Sequence, residues 1–488
     1  MAVSLYASRV VLNTLGVEDY GIYNVVGGIV TMFAFLNGAM VTSTQRYLTF
    51  ELGKGNQERL QTIFTTSIQI HAIMSLIIVI LGETVGLWFF YHKMIIPDAR
   101  MEAAMWVFQL SIVTMVIQVM SAPYNAIIIA HEEMNVFAVI SIVEAVLKLA
   151  IVYVLLIGSI DKLILYAVLV ASVQLFIRVL YTRYCDRHYP ETKLINCFDK
   201  GLVKEIGEFA GWNIWGSLAA TLFGTGLNLL LNMFFGPVVN AARAVAVQVE
   251  SAIGMFSSNF LMAVNPQITK QYAQNNLQEM HRLLFRASKF SFFLLLILSL
   301  PVFLETETLL TIWLKIVPDY TVPFLRILLC IVIIDATARP LMTAAAATGD
   351  VKKYQSTLGG ILLSIVPIAY IVLKFGGNPI SVYIVHISVC IIAFIARLLI
   401  VRPMIHLSLR EYFVDVIIPC FVVVIASVVL SVFFKALLPK GLFFSFIVCL
   451  LSVIIASIFT FFLGCTAGER TFLKNKARGL LAHFLRRD

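Results

Sequence analysis

The chain falls into apolar stretches of roughly 20 residues, each long enough to cross about 30 Å of hydrocarbon as a helix. Its charges gather in short clusters between these stretches. Few folds satisfy that layout. Lipid offers the backbone no hydrogen-bond partner, so a spanning segment must close its own bonds as a helix or join a closed barrel. Ten-residue units of alternating polarity are missing, which excludes the barrel. The fold class is therefore all-α, a polytopic membrane helical bundle of about fourteen spans. These are expected at 1–15 (truncated), 20–41, 64–90, 102–130, 135–158, 161–183, 208–235, 237–262, 285–313, 321–347, 354–374, 379–402, 414–436 and 442–464.

Composition narrows the function. Only 13% of the 488 residues are charged, against about 25% in a soluble chain. The net charge of +9 does not point to nucleic acid, because the basic residues flank spans instead of covering one surface. The seven cysteines show no CxxC spacing, so neither a disulfide framework nor a metal site is expected, and no cofactor. There is no GxSxG, P-loop or HExxH, and no loop large enough to form a catalytic domain. An enzyme is not expected, nor an ATP-driven pump within this chain alone. No cleavable signal peptide is evident. The first span is short for a bilayer and carries Arg9 near its middle, so about 15 to 25 further upstream residues, apolar with a basic start, are expected.

Lys and Arg set the orientation. With the N-terminus cytoplasmic, twenty-three basic residues lie on the cytoplasmic side and seven on the other, which predicts both termini inside. The expected organisation is an N-terminal lobe at 1–183, a cytoplasmic amphipathic linker at 184–207 and a C-terminal lobe at 208–402. Two further spans follow at 403–464, then a basic amphipathic tail at 465–488 that would lie on anionic membrane lipids. The stretch Thr192–Phe209 reads as a helix lying in the interface.

The halves repeat faintly at an offset of about 220 residues. Leu12-Asn13 before Gly16 recurs as Leu231-Asn232 before Gly236, and Pro97-Asp98 as Pro318-Asp319. Pro123 matches Pro340, and Glu83 with Trp88 matches Glu305 with Trp313. Six spans repeated in one orientation imply two lobes about an axis along the membrane normal, which is transporter architecture.

Polar residues within spans are candidate site residues, each with a structural rival. On the second span Asn24, Gly28, Thr31, Gly38, Thr42 and Arg46 share one face. On the eighth, Asn240, Arg243, Glu250, Ser251 and Gly254 do the same. The two stripes are expected to face one central cavity, where Arg243 would meet water, a carboxylate such as Glu250 or an anionic ligand. The rival is helix packing through small residues. Arg9 is read either as a phosphate contact or as a charge snorkelling to the interface. Glu144 with Lys148 and Asp335 with Arg339 have i,i+4 spacing; structural pairing is the default and ion coupling the alternative. His71 and His386 are read as packing residues, and Pro123, Pro301, Pro340 and Pro367 as kinks. Trp88, Trp106 and Trp313 fit an aromatic belt.

The stretch Ser8–Lys54, SRVVLNTLGVEDYGIYNVVGGIVTMFAFLNGAMVTSTQRYLTFELGK, resembles bacterial polysaccharide flippases. These are the O-antigen and capsule translocases of the multidrug/oligosaccharidyl-lipid/polysaccharide exporter superfamily, and the LG-x-x-DYGIYN turn carries the match. The resemblance implies alternating-access transfer of an undecaprenyl-diphosphate-linked oligosaccharide from the inner to the outer leaflet of the bacterial inner membrane. It also implies a role in lipopolysaccharide or other polysaccharide biosynthesis, with a polysaccharide polymerase as partner. Cationic cavity residues then meet the diphosphate, at positions Arg9, Arg46, Arg243 and Arg339, where a guanidinium fork suits phosphate oxygens. A lipid II flippase and a multidrug or cation antiporter of the same superfamily are the alternatives. An antiporter for cations would favour carboxylates over arginines.

Overall fold

The computed structural model describes residues 34–94, 96–157, 161–314, 317–439 and 441–471, with residues 11, 14–16, 19–23, 26–27 and 474–475. The described residues form helices and turns, with no strand among them. Most of the first span and much of the second, Arg9, Asn24 and Thr31 included, lie outside the described residues, as does most of the basic tail.

The chain divides into two compact units, residues 1–218 and 219–488. In the first, α1 (Ala34–Lys54) runs well past the end expected at residue 41, while α2 (Gln57–Leu81), α3 (Leu87–Lys93), α4 (Met101–Ala130), α5 (Met134–Ile157) and α6 (Lys162–His188) lie on the expected spans. A π-turn at Gly82–Gly86 links α2 to α3, and α4 is the hub, packing on α1, α2 and α6. Its apolar core joins Val107, Phe108 and Ile112 to Ile22, Val26 and Ile78.

α7 (Lys200–Phe235) starts in the first unit and ends in the second. The second unit continues with α8 (Pro237–Ala273), α9 (Leu277–Leu304), α10 (Thr306–Leu314), α11 (Thr321–Thr348), α12 (Lys352–Leu363), α13 (Ile365–Lys374) and α14 (Pro379–Met404). After a short helix, α15 (Leu409–Tyr412), and a π-turn come the last two, α16 (Ile418–Leu437) and α17 (Leu442–Phe459). Here α11 is the hub, packing on α8, α9 and α14. Eleven of the described helical segments are long and apolar enough to cross a membrane.

The repeat is visible in the wiring. Within the first unit α4 touches α1, α2 and α6, and α5 lies on α6; within the second α11 touches α8, α9 and α14, and α12 and α13 lie on α14. Gly16 and Gly236, matched by sequence, both take left-handed φ, at 82° and 78°. Glycine accepts that region without a Cβ penalty, and at Gly236 it turns the chain in one residue from α7 into α8. Glu83 sits in the π-turn after α2 and Glu305 in the break after α9.

Two spans are divided near prolines read as kinks, and one expectation needs correction. Span nine, expected over 285–313, is divided where α9 stops at Leu304. The Pro301 ring removes one ladder bond near that end, and Glu305 caps it before α10 begins. Span eleven breaks at Ser364 between α12 and α13, because Pro367 has no N–H to offer residue 363. The stretch Thr192–Phe209 is not a separate interface helix. Residues 193–199 are irregular, and from Lys200 the chain runs as one helix of 36 residues into the span. No proline interrupts Lys200–Phe235, so nothing stops the helix at the interface.

The irregular segment is fixed along α2. Gln61 Nε2 donates to the Lys193 carbonyl at 2.9 Å, the Ile195 N–H to Thr65 Oγ1 at 3.3 Å, and Gln69 Nε2 to the Cys197 carbonyl at 2.8 Å. The three side chains stand four residues apart on one helix face. Beside them His131 Nε2 pairs with Glu191 Oε1 at 2.6 Å, and its ring stacks on Tyr189. Burial alone would raise the Glu191 carboxyl, but His131 and a backbone N–H hold it below the usual carboxylate range.

After the last span, Thr466 and Glu469 form a reciprocal capping box that starts a final helical turn. The same carboxylate pairs with buried Lys289 of α9 at 2.9 Å. The chain reaches this point at Gly464, where a Cβ would lie 2.5 Å from the Phe293 ring.

Candidate functional site

The second unit holds a cavity of about 320 Å³ between α7, α8, α11, α12 and α14, in which charged side chains converge. Its lining includes Glu250 of α8, Asp335 and Arg339 of α11, and His386 and Arg397 of α14. Asp335 and Arg339 share a face of α11 through their i,i+4 spacing. Arg339 Nε donates to Asp335 Oδ2 at 3.2 Å, and Arg397 Nη1 donates to Asp335 Oδ1 at 3.4 Å. One carboxylate therefore holds two guanidinium forks from two helices. Arg339 Nη1 also donates to Ser258 Oγ at 2.8 Å, tying the cluster to α8. The Asp335 side chain is 41% exposed and that of Arg397 12%, so the carboxylate stays reachable while one arginine is enclosed. His386 is buried beside Phe223, and its Nδ1 has no hydrogen-bond partner among the described residues.

Arg243, in the same unit, gives its hydrogen bonds to residues outside this cluster. Its Nε donates to Asn228 Oδ1 at 2.5 Å, Nη1 to Tyr383 Oη at 3.3 Å and Nη2 to the Gly224 carbonyl at 3.1 Å. The guanidinium thus spreads its donors over α7 and α14 and is 7% exposed. The expectation that Arg243 meets water, a carboxylate or an anionic ligand stands beside these three bonds to neutral protein oxygens. Glu250, the carboxylate expected beside it, lines the cavity and accepts from Ser251 Oγ at 3.4 Å. Asn240 Oδ1 is buried without a partner among the described residues.

In the first unit Arg46 is buried, with its guanidinium 4.5 Å from the Tyr47 ring centroid and 4.7 Å from that of Phe50. Aromatic faces stabilise a cation where water is scarce. Thr42 bonds back to the Gly38 carbonyl. Glu144 pairs with Lys148 at 2.6 Å and accepts from Gln174 at 3.0 Å, the structural pairing taken as default. The structure thus gathers Glu250, Asp335 and Arg339 along one cavity, whose lining does not include Arg243, Arg46 or Glu144. Arg397 and His386 join the site without having been expected there. Arg397 read as one more flanking basic residue near a span end, and nothing in its neighbourhood marks it as reaching inward.

The whole arrangement, an all-helical chain in two units wired alike, has solved counterparts. One is described as the outward-facing conformation of a multidrug resistance MATE family transporter of the MOP superfamily. It aligns with a TM-score of 0.72 and 15% identity over 83% of this chain and 92% of that one. The chain has the MATE fold. A MATE in the straight conformation aligns with a TM-score of 0.71 and 16% identity over 83% of this chain and 92% of that one. A MOP superfamily transporter from Pyrococcus furiosus, described by the reverse polarity of its binding pocket, gives a TM-score of 0.67 and 16% identity over 83% and 93%. No family model matches the chain, and no curated protein matches it by sequence.

Proposed function

We propose that the chain is a flippase of the MATE fold, working by alternating access. It would move an undecaprenyl-diphosphate-linked oligosaccharide across the bacterial inner membrane for polysaccharide assembly, with both termini in the cytoplasm. The observation that carries this reading is the pair of guanidinium forks, Arg339 and Arg397, that meet on Asp335 at the cavity wall. Diphosphate oxygens match a fork bidentately and with more charge than a single carboxylate. A diphosphate entering the cavity would compete for those forks, and Asp335, once displaced, could accept a proton or cation and so couple transport to a gradient.

A second reading rests on the same cavity. Asp335 and Glu250 are carboxylates in a space that suits an organic cation, as in an antiporter for drugs. The Pyrococcus furiosus neighbour is described as having a pocket polarity that suggests a different function, so in this fold the pocket is the feature to test.

The deciding measurement uses the purified chain in proteoliposomes carrying a fluorescent undecaprenyl-diphosphate oligosaccharide in the inner leaflet. Expected is transfer to the outer leaflet, slowed at least about tenfold in Arg339→Gln or Arg397→Gln. Cells lacking their own efflux pumps should gain no resistance to cationic drugs when they express the chain. Drug resistance without lipid transfer would replace the flippase reading with the antiporter one.

A further inference from the structure

A second cavity, in the first unit, lies between α5 and α6 and has a volume of about 580 Å³. Its lining divides by chemistry. Val136, Val139, Ile140 and Val143 recur at helical spacing along one face of α5 and make an apolar strip. Arg183 and Arg187 of α6, with His188, stand at one end of that strip. Both arginines are exposed, and no ion pair holds either among the described residues. Glu133, just before α5, accepts from Tyr184, a residue of the groove's lining, at 2.5 Å. Two like charges one helical turn apart oppose each other unless an anion sits between them.

The strip also lies on an open face. α5 is the least buried of the eleven candidate spans, and Val139 is 60% exposed. A basic end on an apolar groove between two spanning helices is the pattern that binds the head group and one chain of an anionic lipid. We infer that this groove binds one anionic phospholipid of the bilayer, its phosphate on Arg183 and Arg187 and an acyl chain along Val136, Val139, Ile140 and Val143. The occupant is a bilayer lipid and not a soluble phosphate, because the apolar strip offers an acyl chain a surface that a free phosphate cannot use. The inference requires only that the chain spans a membrane and is independent of what it transports.

The test is native mass spectrometry of the full chain, given equal amounts of phosphatidylglycerol and phosphatidylcholine with identical acyl chains. The phosphatidylglycerol adduct should exceed the other by about tenfold or more, since two arginines act on one head-group charge. Arg183→Gln with Arg187→Gln should bring the two lipids to parity. Val139→Trp, which fills the groove and leaves both arginines in place, should remove the adduct. Lys200→Gln with Lys204→Gln, an exposed pair on α7, should change nothing. Equal binding of both lipids, or a preference that survives either groove variant, overturns the inference. So does a stable dimer that buries this face and excludes lipid.

Discussion

Arg243 shows how a single buried charge can be satisfied by neutral oxygens. Three donors reach an amide, a phenol and a carbonyl on two neighbouring helices, so the residue acts as a bolt within the second unit. Arg243→Lys keeps the charge but offers one ammonium where three directions are needed. Arg243→Ala leaves the Asn228 amide, the Tyr383 hydroxyl and the Gly224 carbonyl without their donor. We expect Ala to lose about 3 kcal/mol of stability, because unpaired buried polar groups are expensive, and Lys to lose roughly half of that. Thermal unfolding of the purified chain in detergent reads both; unchanged midpoints for Ala would return Arg243 to the ligand-contact role expected from the sequence. The sequence made that role attractive because Arg243 shares a helix face with Glu250. It carried no sign that Asn228 of α7 and Tyr383 of α14 would arrive on the other side.

At the scale of elements, the short helical turn after the last span is fastened to α9 by one carboxylate. Glu469 closes the capping box with Thr466 and faces buried Lys289 of α9, while Gly464 lets the chain pass against Phe293. Burial by itself would raise this carboxyl, but the Thr466 N–H and Lys289 hold it below the usual carboxylate range. The pair therefore contributes fully above the carboxylate's unfolded value of about 4.3 and is lost as pH falls through the lower folded value. Glu469→Gln should cost about 3 kcal/mol at neutral pH, since it leaves Lys289 buried without its counter-charge. The gap between wild type and variant, followed by unfolding midpoints against pH, should close below about pH 4. A gap independent of pH would show that the side chain acts only through its cap. Elements of this kind were partly legible. Eleven of the fourteen expected span positions followed from hydropathy, because lipid forces helices. The breaks at Glu305 and Ser364 were not placed, although Pro301 and Pro367 were noted, because a proline in a membrane helix kinks or breaks it according to its neighbours.

For the whole molecule, the repeat was legible from a few matched residues because each marks a place where the backbone must do something unusual. Gly16 and Gly236 take the same left-handed φ, and Glu83 and Glu305 stand where a helix is interrupted. The charged cavity was legible only as separate pairs, since Asp335 reads locally as bound to Arg339 and Arg397 joins it from 62 residues away. Orientation is the property most directly open to experiment. Single cysteines placed at 196 and 439 in a chain freed of native cysteines should be protected from and accessible to an impermeant reagent in intact cells, respectively. The reverse pattern would invert the assignment of both termini.

One consequence of α7 concerns how the chain can be divided. Its first half packs with α1, where the Tyr47 hydroxyl donates to the Glu205 carbonyl and the Tyr47 ring meets Phe209, while Leu227 and Leu231 belong to the core of the second unit. A protease or an engineered cut in the irregular stretch before Lys200 therefore leaves α7 whole, so residues 200–218 of the first unit stay covalently on the fragment that carries the second. Dividing the units instead requires breaking a membrane helix in mid-span, a joint that gene fusion could create but that domain shuffling cannot reuse.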